Sequence, residues 1–236
     1  TLVTQMLPLT LTDVIVRRRG KRIIGPVTHR LEQGPPTIVI GPNGSGKTTL
    51  LRVIHGIERI STGQVNWTHD APDQQAFVFQ NPIVLRRTVA ENLAYPLRLA
   101  GVDKAEIISR VTTWLARIGL DALANTAATR LSGGERQKLA IARALIRTPQ
   151  VLFLDEPCAN LDGHTTREIE ALLSETATAG TRLIMATHNM GQARRLAGDV
   201  IFMLNGKIHE SGAANYIMNT PQTSELKSFF QGDIVT

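Results

Sequence analysis

A glycine-rich segment constrains the fold of this chain more than any other feature of its sequence. It follows a short apolar run at 37–40, and the residues after it are apolar at helical spacing: Leu50, Leu51, Ile54 and Ile57. The segment itself reads Gly41, Pro42, Asn43, Gly44, Ser45, Gly46, Lys47, Thr48. Between a strand and a helix, such glycines turn successive backbone N–H groups toward a phosphate, and the helix N-terminus adds a favourable dipole. The segment therefore predicts a phosphate-binding loop in an α/β fold.

Two side chains of this loop have distinct expected roles. The Lys47 ammonium would reach the β- and γ-phosphates of a nucleotide, and the Thr48 hydroxyl would bind Mg²⁺. A second apolar strand, at 151–154, ends in Asp155 and Glu156. In a phosphate-loop enzyme the first carboxylate holds Mg²⁺ through its water shell, and the second can act as general base for the attacking water. A strand ending in Asp-Glu is a weak signal by itself, but the upstream loop favours these roles.

The rest of the chain alternates between strand-like and helix-like patterns. Strands are predicted near 9–16, 23–31, 37–40, 76–79, 151–154, 182–186 and 200–204. Asn205-Gly206 is a hairpin turn signal, and Arg17 to Lys21 reads as a basic turn. From about Pro82 to Pro149 the pattern is helical. The chain is therefore predicted to be an α/β core with a helical insertion in its middle.

Composition adds only loose bounds. The chain has 26 basic and 20 acidic residues, a net charge of +6, which suits an anionic partner or simply a solvated basic surface. Its single cysteine, Cys158, excludes an intramolecular disulfide, and we expect a small buried thiol rather than a redox group. No apolar run approaches the roughly 20 residues that span a bilayer, and the N-terminal segment lacks the basic start of a signal peptide. We therefore expect a soluble protein that docks on a membrane if it serves one.

A third motif lies ahead of the Asp155 strand. Ser132 is a plausible N-cap of a helix predicted at 135–147, with Glu135 three residues on as its capping-box partner. Capping alone explains Ser132 and Glu135, but it leaves the second of the two glycines, Gly134, unexplained. Glycines at a helix start expose backbone amides, and an anion is the natural ligand for them.

The segment Ser132-Gly133-Gly134-Glu135-Arg136-Gln137 resembles the signature motif of ATP-binding cassette (ABC) ATPases, which other phosphate-loop proteins lack. The resemblance covers essentially the whole chain. Gln80 resembles the family's Q-loop glutamine, Asp162 the D-loop aspartate and His188 the switch histidine that contacts the γ-phosphate. It implies that the cofactors are ATP and Mg²⁺.

The resemblance also implies a role for each matched residue. The catalytic residues would be Glu156, His188 and Gln80, and the Mg²⁺ residues Thr48, Gln80 and Asp155. The ATP-binding residues would be Gly41, Pro42, Asn43, Gly44, Ser45, Gly46, Lys47, Thr48 and Thr49. The signature residues, which would contact the ATP bound by a partner subunit, would be Ser132, Gly133, Gly134 and Glu135.

One element departs from the family pattern. Members usually stack the adenine on an aromatic residue in the N-terminal strand-turn, but here that stretch is Arg17-Arg18-Arg19-Gly20, and no aromatic residue precedes Trp67. An arginine guanidinium can stack on a base, so Arg18 or Arg19 is a candidate substitute; the alternative is a solvated basic turn. Selectivity for adenine is therefore expected to be weak.

The implied fold is a P-loop NTPase with a RecA-like core, an N-terminal antiparallel β subdomain and an inserted α-helical subdomain. Residues 1–236 would form a single domain, with 82–148 as the helical subdomain and 1–81 and 149–236 as the core plus antiparallel sheet. No additional C-terminal regulatory domain is expected. The implied mechanism is a head-to-tail dimer, identical or pseudo-symmetric, that closes on ATP and opens after hydrolysis.

The implied partners are membrane proteins. Transmembrane permease subunits would dock on the stretch after Gln80, an external substrate-binding protein is expected, and no nucleic-acid partner is expected. The chain would be peripheral on the cytoplasmic face of the cell membrane. Two alternatives stay open: a soluble ABC ATPase of translation or cluster assembly, and a nucleic-acid-linked one. The stretch after Gln80 and the tail near Phe229-Phe230 resemble importers of tungstate, molybdate or phosphate, while lipid-linked and amino-acid substrates also stay open.

Overall fold

A computed structural model describes residues 5–232 of the chain. The first four residues, part of the N-terminal segment predicted not to be a signal peptide, and the last four lie outside this range. The described residues form two sheets with helices packed around them. This arrangement confirms the predicted α/β class with an antiparallel N-terminal portion.

The first sheet is antiparallel and built from the N-terminal part of the chain. Its strands are β1 (Leu9–Arg18), β2 (Lys21–Leu31) and β4 (Thr62–Trp67), in the order β2-β1-β4. The sequence patterns indicated β1 and β2, but not β4. The reason is that β4 has no buried residue, so the alternation of apolar and polar side chains that marks a half-buried strand is absent there.

The second sheet has six strands in the order β5-β6-β7-β3-β8-β9. Neighbours pair in parallel except for the final pair, which is the hairpin predicted at Asn205-Gly206. The strands are β3 (Thr37–Ile40), β5 (Gln75–Val78), β6 (Val151–Asp155), β7 (Arg182–Ala186), β8 (Asp199–Leu204) and β9 (Lys207–Ala213). Four of these strands, β3, β6, β7 and β8, are buried along nearly their whole length, as parallel strands covered on both faces should be.

The parallel sheet separates two apolar clusters. On β3, Ile38 and Ile40 face one cluster and Val39 faces the other, since successive side chains of a strand point to opposite faces. The first cluster joins the sheet to helices, and the second joins it to the antiparallel sheet through residues such as Leu9 and Val14. The antiparallel sheet thereby packs on the same face of the parallel sheet as Leu50 and Leu51, which follow the glycine-rich loop.

Eight helices complete the described chain. They are α1 (Lys47–His55), α2 (Val89–Leu99), α3 (Lys104–Arg117), α4 (Gly133–Leu145), α5 (Gly163–Thr178), α6 (Met190–Leu196), α7 (Ala214–Asn219) and α8 (Ser224–Gln231). Three of them lie in the stretch predicted to be helical, but residues 82–88 are irregular rather than helical. The helix predicted at 135–147 begins two residues earlier, because Ser132 caps it directly. Ile57 was expected on α1 but follows its left-handed cap, Gly56, and is exposed.

Candidate functional site: a nucleotide pocket at the strand ends

The predicted catalytic residues and most of the predicted ATP-binding residues meet where four neighbouring parallel strands end. The glycine-rich loop follows β3, Gln80 follows β5, Glu156 follows β6 and His188 follows β7. They border a cavity of about 340 Å³, in line with the rule that ligands of open α/β sheets bind outside the carboxyl ends of the strands. The residues that line it are Ile23, Asn43, Gly44, Gly46, Lys47, Thr48, Thr49, Gln80, Glu156 and His188.

The conformation of the loop requires glycine at two of its positions. Gly41 has φ 147°, and a Cβ there would lie 2.2 Å from the Met203 carbonyl oxygen. Gly46 has φ 102°, and its Cβ would lie 2.5 Å from Cγ2 of Ile24. Gly46 is also the N-cap of α1 and provides no capping side chain, so amides of the first turn of α1 keep their capacity to bind an anion.

Lys47 is a buried cation inside this loop. Its Nζ donates hydrogen bonds to the carbonyl oxygens of Gly41, at 2.8 Å, and Pro42, at 3.1 Å. Burial lowers the pKa of Lys47, and the negative charges of Glu156 and Asp155 oppose that shift. A desolvated ammonium group beside free helix amides suits the phosphates of a nucleotide.

Thr48 and Asp155 form the pair expected to hold Mg²⁺. The Thr48 hydroxyl donates a 2.8 Å hydrogen bond to Oδ1 of Asp155, which is buried. Burial raises the pKa of Asp155, while the Thr48 hydrogen bond and the charge of Arg52 lower it. A hydroxyl and a desolvated carboxylate are the hard oxygen ligands that Mg²⁺ prefers, so the donor set fits this ion. Gln80 is exposed and adds an amide oxygen from across the same cavity.

Glu156 and His188 are in direct contact. Nδ1 of His188 lies 2.9 Å from Oε1 of Glu156, and the His188 backbone N–H donates to Oε2 at 3.3 Å. The Glu156 side chain is only 10% exposed, whereas that of His188 is 59% exposed. Glu156 also has φ 50°, a left-handed conformation that costs free energy for a residue with a side chain and is found at functional sites. The pair is thus a buried carboxylate in contact with an exposed imidazole, and both line the cavity.

The signature turn does not line this cavity. Ser132 and Glu135 form the predicted capping box: the Glu135 N–H donates to Ser132 Oγ at 3.3 Å, and the Ser132 N–H donates to Glu135 Oε2 at 2.8 Å. A Cβ on Gly133 would meet nothing within 4 Å, but one on Gly134 would lie 2.8 Å from Cγ2 of Thr165. The sequence interpretation gave an anion as the natural reason for the second glycine; packing against Thr165 is a further reason for glycine there.

Asp162 likewise stays outside the cavity lining. It caps α5, where its Oδ1 accepts hydrogen bonds from the backbone N–H groups of His164 and Thr165, each at 2.9 Å. These bonds hold the pKa of the Asp162 carboxyl below its usual range. Cys158, four residues earlier in the same connection, is half-buried, and burial raises the pKa of its thiol to about 11. Its thiol therefore stays protonated near neutral pH, as an inert packing group would.

The base-binding side of the cavity differs from the sequence interpretation. Ile23 on β2 lines the cavity, and sequence reasoning did not single it out because a lone isoleucine beside a basic turn carries no motif. Arg18 does not line the cavity; its guanidinium is ion-paired with Glu58, with Nε 3.2 Å from Oε1. Arg19 is exposed at the turn with φ 48°. Neither arginine is among the residues that line the cavity.

The comparisons with known proteins agree with this geometry. The family model described as ABC transporter matches residues 24–159. The tungstate uptake system ATP-binding protein TupC of Peptoclostridium acidaminophilum is 36% identical over 86% of this chain and 97% of its own length. The histidine/lysine/arginine/ornithine transport ATP-binding protein HisP of Escherichia coli is 32% identical over 96% of this chain and 98% of its own.

A solved structure adds the three-dimensional likeness. It is a dimeric ATP-binding cassette in a post-hydrolysis state with ADP and Pi bound, and it superposes with a TM-score of 0.78 at 26% identity over 87% of this chain and 98% of that one. Within residues 5–232, no helix combines the length and apolar character needed to cross a membrane. The chain belongs to the ABC transporter family and is its ATP-binding, ATP-hydrolysing component.

Proposed function

We propose that this chain works as one half of an ATP-driven dimer that powers an importer. The observation that carries the proposal is the separation of two phosphate-competent elements. The loop, Glu156 and His188 border one cavity, whereas the signature turn at Ser132 lies outside its lining. Both elements can serve one ATP only if the signature turn comes from a second subunit, and a two-fold dimer then holds two nucleotides.

Within each composite site, the residues of this chain divide the work. The loop amides and Lys47 bind the phosphates, and Thr48, Asp155 and Gln80 would hold Mg²⁺, which neutralises charge on the phosphates. Glu156 takes the proton of the attacking water, because it is a preoriented carboxylate within the cavity. His188 contacts both that carboxylate and the cavity, so it can donate a hydrogen bond to the γ-phosphate as charge develops there. Hydrolysis removes the phosphate that joins the two halves.

An apolar cleft beside the cavity is proposed to receive the membrane permease. Its volume is about 390 Å³, and its lining includes Phe79, Ile83, Leu85, Tyr95 and Leu99. Ile83 and Leu99 are 73% and 71% exposed. Apolar side chains exposed around a cleft are typical of a docking site for a partner helix. The lining of the cleft includes Pro82, Ile83 and Leu85, which belong to the irregular stretch after Gln80 where the family resemblance implies permease docking.

This docking stretch is rigid rather than loose. The fully buried Asn92 accepts a hydrogen bond from the Leu85 N–H at 2.8 Å and donates to the Thr88 carbonyl at 2.9 Å. Arg143 donates to the Asn92 side chain at 3.1 Å and to the Ile83 carbonyl at 2.5 Å. A preformed surface loses less conformational entropy when a partner binds, which supports a docking role.

The permease contact can be tested with a matched pair of variants. Ile83→Asp places a charge in the cleft and is expected to weaken co-purification with a co-expressed permease at least about tenfold, the cost of burying an unpaired charge. Ile108→Asp makes the same change at a residue of α3 that is 58% exposed and outside the cleft lining, and should retain the complex. Equal retention by both variants would exclude the cleft as the docking site.

The transported substrate is proposed to be an oxyanion such as tungstate, molybdate or phosphate. The support is similarity to TupC over 86% of this chain and 97% of that protein. Competing relatives are named for amino-acid transport (HisP), methionine import (MetN) and sn-glycerol-3-phosphate import (UgpC). The test reconstitutes this chain with its permease and binding protein and measures ATP hydrolysis. Stimulation by tungstate, molybdate or phosphate, and not by histidine or lysine, is the expected result. Stimulation by amino acids alone would replace the substrate class, and hydrolysis with no permease association would favour a soluble ATPase.

A further inference from the structure

The contact between Gly134 and Thr165 joins two segments that the proposed function assigns to different nucleotides. Gly134 lies in the first turn of α4, and Thr165 lies in the first turn of α5. A Cβ at 134 would approach Cγ2 of Thr165 to 2.8 Å and Oγ1 to 3.2 Å, closer than two such atoms can come without a shift. The two helix starts are therefore packed at a distance that only glycine allows.

Thr165 holds the D-loop segment with its other atoms. Its Oγ1 donates a 2.8 Å hydrogen bond to Oδ2 of Asp162, and its N–H donates to Oδ1 at 2.9 Å. Tight turns connect Asp162 back to the general base, with the Ala159 N–H bonded to the Glu156 carbonyl at 3.1 Å and the Leu161 N–H to that of Cys158 at 3.3 Å. Only five residues thus lie between Glu156 and Asp162, and these two backbone hydrogen bonds close turns in that connection.

An ion pair also joins the same two helices. Nζ of Lys138 on α4 lies 3.3 Å from Oε2 of Glu168 on α5. Glu168 is partly exposed, so this ion pair contributes little by itself. It lies one turn beyond the Gly134–Thr165 contact on each helix, which makes that contact the tighter link between the signature turn and the D-loop.

We propose that Thr165 is a positioning residue that fixes the signature turn against the D-loop of its own subunit. The inference rests on the proposed dimer, in which the signature turn of one subunit serves the partner's ATP while Glu156 serves its own. Thr165 then links the two composite sites, because its methyl group packs on the turn and its hydroxyl holds Asp162. Gly134 is required by this packing as well as by any approach of phosphate.

The packing half of the proposal is tested by second-site rescue. In a Glu156→Gln background, the measurement is the MgATP concentration that drives dimerisation in sedimentation. Gly134→Ala should raise that concentration at least tenfold, since the new Cβ collides with Cγ2 of Thr165. Adding Thr165→Ser removes that methyl group, keeps the hydroxyl, and should bring the concentration back to within about threefold of the parent; Thr165→Ser alone completes the cycle. No recovery in the double variant would overturn the proposal and leave phosphate approach as the reason for the glycine.

The hydrogen-bonding half is tested by Thr165→Val in the otherwise native chain. It keeps the shape of the side chain and loses the donor to Asp162, so kcat should fall at least fivefold while ATP binding to the monomer is retained. Thr166→Val is the matched control, because no hydrogen bond of the Thr166 hydroxyl is present among residues 5–232. Equal kcat for the two valine variants would overturn the positioning role. If the Glu156→Gln parent itself fails to dimerise with MgATP, the dimer falls and the inference falls with it, which distinguishes the two failures.

Discussion

The nucleotide cavity and the signature turn are built in opposite ways. In the cavity, side chains from four strand ends converge, Lys47 and Asp155 are buried with shifted pKa values, and Glu156 has a left-handed backbone. At the signature turn, Ser132 is exposed, its capping box satisfies it locally, and the space beside Gly133 is open. The cavity contains the proposed catalytic residues. The signature turn has its hydrogen bonds satisfied locally, but within residues 5–232 it has no proposed catalytic side chain beside it. The difference supports the proposal that another subunit supplies half of the active site.

The largest effect is expected from a substitution in the cavity. Glu156→Gln removes the proposed general base but keeps the side-chain volume, so kcat should fall at least on the order of a hundredfold while MgATP still binds. The variant should also accumulate as an ATP-bound dimer. Phosphate release and sedimentation measure the two outcomes, with Glu32→Gln, an exposed carboxylate, as control. Turnover close to that of the native chain would remove Glu156 from the mechanism.

An intermediate effect is expected at Asp155, a proposed Mg²⁺ residue. Asp155→Asn keeps an acceptor for the Thr48 hydroxyl but loses the charge, so the Mg²⁺ affinity of the ATP complex should weaken roughly tenfold to a hundredfold. Because burial raises the pKa of Asp155, its ionised form destabilises the nucleotide-free fold above that pKa.

The pH dependence of stability follows from that sign. Without nucleotide, Asp155→Asn should have a higher free energy of unfolding than the native chain at neutral pH. The difference should begin to shrink as the pH falls below the raised pKa of Asp155 in the native chain. It should vanish once the pH is also below the ordinary aspartate pKa of the unfolded chain, where the carboxyl is protonated in both states. Urea titrations at several pH values measure it. A variant less stable than the native chain at neutral pH, with the gap closing in acid, would mean that the carboxylate is paired rather than desolvated.

The smallest expected effect concerns the base. Ile23 lines the cavity, Arg18 is engaged by Glu58, and no aromatic residue precedes Trp67, so we expect the recognition of adenine to be weak. ATP and GTP, compared at equal concentration, should be hydrolysed at rates within a hundredfold of one another. A preference for ATP above that limit, about 2.7 kcal/mol, would require a specific adenine site that this geometry lacks.

The fold and the cavity were accessible from the sequence because their signals are local. The loop at 41–48 and the Asp155-Glu156 pair are contiguous, and each follows a strand whose apolar run is readable by itself. Their meeting follows from the rule that parallel strands end at one edge of a sheet. Gln80 and His188 were predicted as site residues because they occupy the places of the family's Q-loop glutamine and switch histidine in the order of motifs.

What the sequence did not give depends on long-range contacts. Strand β4 has no buried residue, so no alternation of apolar and polar side chains marks it. Ile23 becomes part of the cavity lining only because the fold brings β2 beside the glycine-rich loop. The packing of Gly134 on Thr165 joins residues far apart in the chain, and no pattern around either one records it. The pairing of Arg18 with Glu58 changes the base site for the same reason.

The most direct test of the two-subunit site mixes two inactive chains. Ser132→Arg places a bulky side chain on the exposed turn and leaves the loop intact, so it should bind ATP as a monomer but neither dimerise nor hydrolyse. Lys47→Ala damages the loop and leaves the turn intact. A heterodimer of the two should regain one working site, formed by the loop of the first and the turn of the second, with phosphate release up to half that of the native dimer. Hydrolysis by monomeric Ser132→Arg alone would contradict the shared site.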